Sequence, residues 1–238
     1  MSAQALIQLS ATLLVAYGIG SIPWAYLIVR GVAHEDITTH GTGNVGAMNV
    51  RRSTGSWAWF VVAMVADASK GFLTTFTAKW LLAGTALLAL KPWGIVLAEM
   101  ASPWWNNGLL FMPMAAVAGA VLGHNYSMWM ALVKRHFGRT GKGLATGGGA
   151  LLAYDWRYFV AVVVVGLAVI AMTRYMMAGQ VAAAITLPVA AFTLNSPDWP
   201  FALVMGVVVY AAHHKRFVGM LKGNEPRFYV NDRMGPRG

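Results

Sequence analysis

The sequence contains no cysteine and few charged residues, and both absences narrow what the protein can be. Without cysteine, the 238-residue chain has no disulfide, no thiolate metal ligand and no cysteine nucleophile. Only 11% of its residues are charged and 58% are hydrophobic, whereas a soluble domain carries about 25% charged residues. The composition therefore predicts an integral membrane protein, with one membrane domain over residues 1–238 and no room for a large soluble domain.

The few charges are mostly positive, with 18 lysines and arginines against 8 acidic residues. These cations do not predict nucleic-acid binding, because they lie in short segments between apolar runs, as the positive-inside rule requires of cytoplasmic loops. If the amino terminus lies outside, only Lys79, Lys91 and Arg157 flank the outer side. We therefore expect the amino terminus outside and the cation-rich loops in the cytoplasm.

Apolar runs of about 20 residues predict the membrane helices. They cover residues 7–29, 57–80, 109–130, 156–173, 175–194 and 199–212. No basic segment precedes the first run, so it is expected to be a retained helix, kinked at Pro23, and not a cleaved signal peptide.

Three further segments do not fit a full span. Residues 144–154 contain three consecutive glycines and predict a short or half-inserted helix packed against protein. Residues 81–108 predict an interfacial excursion, and residues 213–238 a basic cytoplasmic tail. The predicted fold class is thus all-α, a polytopic membrane bundle of about seven helices with half-inserted cytoplasmic loops.

A polar loop at residues 40–52 is the first candidate binding element. Its glycines allow close backbone approach and positive φ angles, and successive N–H groups in such a turn can bind an anion. Thr42, Asn44 and Asn49 offer neutral donors, and Arg52 offers a fork suited to phosphate oxygens. The alternative is an ordinary membrane-surface loop, where the same residue types are common.

A second glycine and cation cluster occupies residues 134–143. Lys142, between Gly141 and Gly143, is predicted to open the short helix, where free N–H groups and the helix dipole favour an anion. The cluster is not a P-loop, because the GxxxxGK[ST] spacing is missing and no strand precedes it. We therefore predict phosphate binding here but not nucleotide binding.

Ionisable residues inside predicted helices are the remaining candidates. Asp67 and Lys70 lie three residues apart on one helical face and predict a neutralising ion pair more than a catalytic dyad. His124 is expected to be a hydrogen-bonded packing residue or to contact substrate. His213 and His214 are expected to end the last span, with at most one of them entering a shared pocket. The histidine spacing does not match zinc hydrolases.

Several of these segments, taken in order, resemble one family. They are GSIPWAYLI at 20–28, GTGNVGAMNV at 41–50, DASKGF at 67–72, LGH at 122–124, GKGLATG at 141–147 and LKGNEPRF at 221–228. The chain resembles the bacterial acyl-phosphate:glycerol-3-phosphate acyltransferases, seven-helix integral membrane enzymes, over nearly its whole length. The resemblance implies a multi-pass protein of the bacterial inner (plasma) membrane.

The family resemblance also implies a reaction and a set of site residues. The chain would move a fatty acyl group from acyl phosphate to the 1-hydroxyl of glycerol 3-phosphate, giving lysophosphatidic acid and phosphate, without cofactor or metal. Membrane lipid would surround it, and no nucleic acid would bind. The implied catalytic residues are Lys142, His213 and Asn44. The implied substrate contacts are Ser21, Gly41, Thr42, Gly43, Asn44, Asn49, Arg52, His124, Gly141, Lys142, Gly143 and Arg216.

The chain departs from the family pattern at a few positions. Thr42 replaces a usual serine, Met48 replaces a usual threonine, and Arg216 stands where the family has asparagine. There is also an apparent insertion at residues 131–137. Three alternatives stay open. The departures allow a divergent acyltransferase with another phosphorylated acceptor, and half-inserted helices with positive ends also suit a transporter or binding protein for an organic phosphate. An acyltransferase-like protein without catalysis is a third.

Overall fold

The structure is a computed structural model that describes residues 3–88 and 111–224, without the side chains of residues 82–88. These residues form ten α-helices and one 3₁₀ turn at Ile37–Thr39, and no strand occurs among them. The all-α class is therefore as predicted. The helices are α1 (Ala3–Gly20), α2 (Trp24–Val32), α3 (Ala47–Thr54), α4 (Trp57–Leu88), α5 (Met112–Asn125), α6 (Met128–Lys134), α7 (Leu144–Tyr154), α8 (Trp156–Thr173), α9 (Met176–Thr193) and α10 (Trp199–Leu221).

Among the described residues, three stretches are long and apolar enough to cross a membrane: Ala3–Val32, Trp156–Thr173 and Met176–Thr193. The second and third match the predicted spans 156–173 and 175–194, and α7 is the short apolar helix that the sequence predicts. The helices of the described residues thus confirm the membrane-protein prediction.

Two predicted spans are interrupted, which the sequence reasoning missed. The run 7–29 is not one kinked helix: α1 ends at Gly20 and α2 begins at Trp24, after a turn that contains Pro23. The run 109–130 likewise divides, because α5 ends at Asn125 and the Ser127 side chain caps a new helix by accepting from the Met130 N–H. A capping serine inside an apolar run ends one helix and starts another.

The last helix was predicted too short. It continues through residue 212 to Leu221, so His213 and His214 lie inside α10 and not at the end of a span. Helix α4 also continues past residue 80 to Leu88, into the segment expected to be an interfacial excursion. The rest of that segment, residues 89–108, and the tail from residue 225 lie outside the described residues.

The described residues fall into two compact units, and the prediction of one membrane domain over residues 1–238 stays a prediction. The first unit holds the described parts of Met1–Pro23, Val65–Gly141 and Ala145–Tyr154. The second holds those of Trp24–Met64, Lys142–Leu144 and Asp155–Gly238. The three-residue segment around Lys142 therefore belongs to a different unit from the residues on either side of it.

Close helix contacts at glycines build the first unit. In α5, Gly119 and Gly123 lie against the backbone of α1. Gly71 of α4 and Gly149 of α7 lie against the partner helix's backbone in the same way. Without a hydrophobic driving force inside a bilayer, such backbone contacts are a main source of helix association.

Two of the three consecutive glycines of α7, Gly147 and Gly149, provide a matched test of this packing. A Cβ at Gly149 would overlap the carbonyl oxygen of Ala68, whereas a Cβ at Gly147 would meet only Val121 Cγ2, at 3.7 Å. We expect Gly149→Ala to lower the free energy of unfolding by about 1–3 kcal/mol through overpacking. Gly147→Ala is expected to leave it unchanged or raise it by up to about 1 kcal/mol, because alanine favours helix. Denaturation midpoints in detergent measure both, and equal values for the two variants would contradict the packing.

The second unit contains two groups of elements. In one, α9 packs against both α8 and α10, and in the other α2, the 3₁₀ turn and α3 contact one another. Gly206 of α10 lies against the Ala184 carbonyl of α9. At one end of the first group, Asp155 caps α8, and the Tyr158 hydroxyl donates to Asp198 Oδ1 at 2.7 Å. These contacts fix the base of α10, the helix that carries His213 and Arg216.

Candidate active site

The loop between α2 and α3 is held in shape by its own polar side chains. Asp36 accepts from the Thr38 N–H at 2.9 Å and from the Thr38 hydroxyl at 2.7 Å, and so caps the 3₁₀ turn. Gly41 and Gly43 then adopt positive φ angles of 55° and 68°. Glycine adopts this left-handed region without the penalty that a Cβ would impose, so the predicted role of these glycines in turning the loop is confirmed.

Asn49 has a different role from the one predicted. It is 1% exposed, and its amide nitrogen donates to the carbonyls of Ile37 and His40, each at 3.0 Å. Both amide hydrogens are thus directed at the loop backbone, so Asn49 has no donor left to offer a substrate. Its Oδ1 faces Gly41 so closely that a Cβ there would overlap it. Asn49 therefore stabilises the conformation of the loop through hydrogen bonds to its backbone.

This stabilising role of Asn49 can be tested by measuring the stability of variants. Replacing Asn49 by alanine leaves two carbonyls without their buried donor, so we expect Asn49→Ala to cost about 1–3 kcal/mol of unfolding free energy. Thr42→Ala is the control, because Thr42 is an exposed residue of the same loop. Thermal denaturation in detergent should separate the two, and an Asn49→Ala midpoint equal to the control's would contradict the assigned role.

The outer part of the loop is open to a ligand. Gly41 and Thr42 are exposed, and Gly43 and Asn44 are half-buried. The loop leads into α3, whose first residue follows Gly46, a cap with no side-chain hydrogen bond. The start of α3 therefore presents backbone N–H groups and the positive end of a helix dipole, with half-buried Arg52 on the same helix.

Lys142 is half-buried and lies just before α7. The helix begins at Leu144, as the predicted range 144–154 requires, and Gly143, between Lys142 and the helix start, has a φ of 71°. A residue in the left-handed region cannot continue an α-helix, so the turn at Gly143 separates Lys142 from the helix start.

Helix α10 contributes His213 and Arg216. His213 is 1% exposed, and its Nδ1 lies 2.8 Å from the Val209 carbonyl oxygen. A neutral ring that donates from Nδ1 carries its lone pair on Nε2 and can accept a proton there. Arg216 is half-buried three residues further on, on the same helical face, whereas His214 is exposed. Of the two histidines, only His213 is therefore buried.

The division into units sorts the candidate residues into two sets. The second unit contains most of them, drawn from three separate parts of the chain. They are Gly41, Thr42, Gly43, Asn44, Asn49, Arg52, Lys142, Gly143, His213 and Arg216. The first unit contains Ser21, His124 and Gly141, together with Asp67 and Lys70.

The candidates of the first unit form a buried polar cluster. Lys70 Nζ lies 2.9 Å from Asp67 Oδ1 and donates to the Ile22 carbonyl at 2.9 Å, so the predicted ion pair is present. His124 Nδ1 lies 3.6 Å from the same carboxylate oxygen, and Gly141 lies directly on the His124 ring. Ser21 is fully buried, and its carbonyl accepts from the Ser127 hydroxyl. These residues contact protein groups, as buried charges in a membrane helix must.

The sequence did not predict the structural role of Thr140. Its hydroxyl donates to the His124 carbonyl at 2.9 Å, and its N–H donates to the Asn125 carbonyl at 2.8 Å. It thereby ties the segment before Lys142 to the end of α5. A threonine in a glycine-rich basic loop gives no sign of this contact, because the partner carbonyls are 15 and 16 residues away.

Comparison with known proteins identifies the family. The family model described as glycerol-3-phosphate acyltransferase matches residues 10–223. The chain belongs to the glycerol-3-phosphate acyltransferase family. It is 34% identical over 218 residues to the glycerol-3-phosphate acyltransferase of Thermus thermophilus, covering 91% of this chain and 93% of the relative. It is 35% identical over 213 residues to that of a Synechococcus species, covering 89% of each.

Solved structures agree with the glycerol-3-phosphate acyltransferase fold. The chain is similar to PlsY (YgiH), described as an integral membrane glycerol 3-phosphate acyltransferase, in its glycerol 3-phosphate form. The TM-score is 0.71 at 23% identity, with 96% of this chain and 97% of the other covered. The lysophosphatidic acid form gives a TM-score of 0.70 at the same identity, with 98% and 99% covered. The chain is thus a membrane-embedded member of an acyltransferase family.

Proposed function

We propose that this protein transfers an acyl group from acyl phosphate to the 1-hydroxyl of glycerol 3-phosphate, giving lysophosphatidic acid and inorganic phosphate. The observation that carries the proposal is the family match over residues 10–223. The grouping of the loop at 40–52, Lys142 and His213 in one compact unit supports it, since these are the residues to which we assign substrate binding and catalysis.

Two phosphorylated substrates in one pocket repel each other, so the site must supply compensating positive charge. Arg52, Lys142 and Arg216 carry such charge, and all three are half-buried. The N–H groups of the loop and of the α3 start add partial positive charge that costs no reorganisation when the ligand arrives. The second unit therefore contains the groups needed to hold two phosphates.

The reaction needs no enzyme nucleophile because acyl phosphate is already activated. The acceptor hydroxyl oxygen bonds to the acyl carbonyl carbon, the bond from that carbon to the phosphate oxygen breaks, and phosphate leaves with the electron pair. The hydroxyl proton passes to His213 Nε2 or to a substrate phosphate oxygen. Asn44, the loop N–H groups and Lys142 are the proposed donors to the oxyanion that develops on the carbonyl.

Acceptor-dependent phosphate release tests the proposal. Purified protein in detergent, given palmitoyl phosphate, should release phosphate and form lysophosphatidic acid only when glycerol 3-phosphate is present. Release that is independent of acceptor, from protein shown to be folded, would contradict it. Flux of glycerol 3-phosphate into liposomes without any acylated product would instead favour an organic-phosphate transporter.

The acceptor itself is tested at Arg216, which stands where the family has asparagine. Arg216 lies on the His213 face of α10, so its guanidinium is proposed to contact an acceptor phosphate. We expect Arg216→Asn to raise the KM for glycerol 3-phosphate at least severalfold. A large gain in acyl transfer to glycerol 3-phosphate in this variant would show that the natural acceptor is a different phosphorylated compound.

We further propose that the amino terminus lies outside the bacterial inner membrane and that the site faces the cytoplasm. The asymmetric placing of lysine and arginine supports this orientation. Because the chain lacks cysteine, Thr42→Cys introduces a single thiol on the exposed part of the loop. A membrane-impermeant maleimide should label it in inside-out vesicles but not in intact spheroplasts, and the reverse pattern would overturn the orientation.

A further inference from the structure

The segment from Tyr126 to Arg139, which we name the hook, exposes both apolar and basic side chains on the surface of the first unit. Its apolar members are Trp129, Leu132, Val133 and Phe137, which are 43%, 70%, 53% and 63% exposed. The first three share one face of α6 by their spacing, while Met130 is 1% exposed and packs inward. The exposed apolar face therefore points away from the rest of the unit.

The cations of the hook lie directly beside this face. They are Lys134, Arg135 and Arg139, with His136 between them, and all four are exposed. The sequence from 126 to 143 contains no acidic residue, so the local charge is positive throughout. An exposed apolar face bordered by lysine and arginine is typical of segments that lie in the interface of an anionic bilayer.

The hook is also preformed. The Trp129 indole N–H donates to the Gly18 carbonyl at 3.2 Å, and the Ser127 hydroxyl donates to the Ser21 carbonyl, so the base of α6 is tied to α1. Arg135 adopts φ 53° and ends the helix. The rings of Tyr126 and Phe137 then stack with centroids 6.2 Å apart, which closes the segment on itself. A surface that is already ordered loses little entropy on binding.

We propose that the hook is a docking surface for the anionic phospholipids of the bilayer. Leu132, Val133 and Phe137 insert at the boundary between headgroups and acyl chains, and the neighbouring cations pair with lipid phosphates. Zwitterionic lipid offers the same apolar environment but no net charge, so the hook selects anionic headgroups over zwitterionic ones. This inference goes beyond acyl transfer and does not depend on the proposed function.

The absence of cysteine makes lipid contact measurable at one position. A fluorophore is attached to the single cysteine of the Leu132→Cys variant, and the labelled protein is reconstituted into two sets of proteoliposomes. One set contains nitroxide-labelled phosphatidylglycerol and the other contains the same fraction of nitroxide-labelled phosphatidylcholine, so that nitroxide lipids near residue 132 quench the fluorescence. We expect quenching by phosphatidylglycerol to exceed that by phosphatidylcholine at least threefold. A label at Ile185→Cys, on the exposed surface of α9, is the control and should show no preference. Equal quenching at Leu132→Cys, or none by either lipid, would overturn the proposal.

Charge-removing variants test whether the cations cause the preference. Lys134→Gln with Arg135→Asn should bring the quenching ratio close to one, and asparagine tolerates the left-handed conformation of position 135. Arg174→Asn is the matched control, since Arg174 ends α8 in the same conformation, with φ 61°. It should leave the ratio unchanged.

Salt provides a test that needs no charge-removing variant. Raising sodium chloride from about 50 mM to about 500 mM shortens the range of the electrostatic attraction. The phosphatidylglycerol preference at Leu132→Cys should fall severalfold over this range, in protein that keeps all its native cations. A preference that is indifferent both to salt and to the charge variants would overturn the assignment to anionic headgroups.

Discussion

Replacing Lys142 by alanine is expected to lower kcat by about 10²–10³-fold while leaving the protein folded. One preorganised charge donor to a developing oxyanion or transferring phosphate is worth about this much. Lys142 is half-buried, and its backbone is held just before the turn at Gly143, which has a φ of 71°. Steady-state phosphate release from palmitoyl phosphate with saturating glycerol 3-phosphate measures the loss.

Two further variants locate the origin of that loss. Lys142→Arg keeps the charge but replaces a compact ammonium by a planar fork, so we expect it to recover only a small part of the rate. Lys215→Ala removes an exposed cation of α10 and should retain near-normal turnover. If Lys142→Ala turned over as fast as Lys215→Ala, Lys142 would be removed from the site.

Replacing Asp67 by alanine is expected to destabilise the first unit strongly. Asp67 and Lys70 are 2% and 3% exposed, and the carboxylate also faces His124. Removing one partner of a buried ion pair leaves an uncompensated charge, which costs about 3–5 kcal/mol. The expected result is a large fall in denaturation midpoint and in the yield of monodisperse protein.

A double variant separates this charge effect from lost packing. Asp67→Ala combined with Lys70→Met removes both charges, so it should recover much of the stability that Asp67→Ala alone loses. The matched single variant Lys70→Met should be destabilised as well, because it removes the ammonium that lies 2.9 Å from the buried Asp67 carboxylate. A double variant no more stable than Asp67→Ala would contradict the charge explanation.

The local features of the loop at 40–52 could be predicted from the sequence, but the role of Asn49 could not. Glycines at 41 and 43 adopt positive φ because residue type alone sets that preference. Asn49 looks like one more exposed donor in the sequence. Its two acceptors, the carbonyls of Ile37 and His40, are 12 and 9 residues away, and only the folded loop brings them to its amide.

Some helix boundaries could likewise be predicted from the sequence, and others could not. The spans 156–173 and 175–194 were predicted closely because they are apolar from end to end. The breaks at Ser21 to Pro23 and at Tyr126 to Ser127 were missed, because hydrophobicity averaged over about 20 residues hides a turn of two or three residues. At the second break, the cap is stabilised by the Ser127 hydroxyl, which also contacts the Ser21 carbonyl in another helix.

The sequence by itself determined that this is a helical membrane protein with two loops rich in glycine and cations, since composition and residue type decide those properties. Only the tertiary structure decided which candidate residues belong to the same compact unit. Lys142 belongs to the same unit as the loop at 40–52 and α10, whereas its neighbour Gly141 belongs to the other unit and packs on His124. The reason is physical: contacts between residues far apart in the sequence, such as that of Gly141 with the His124 ring, fix these placements, and the sequence near each residue does not reveal them.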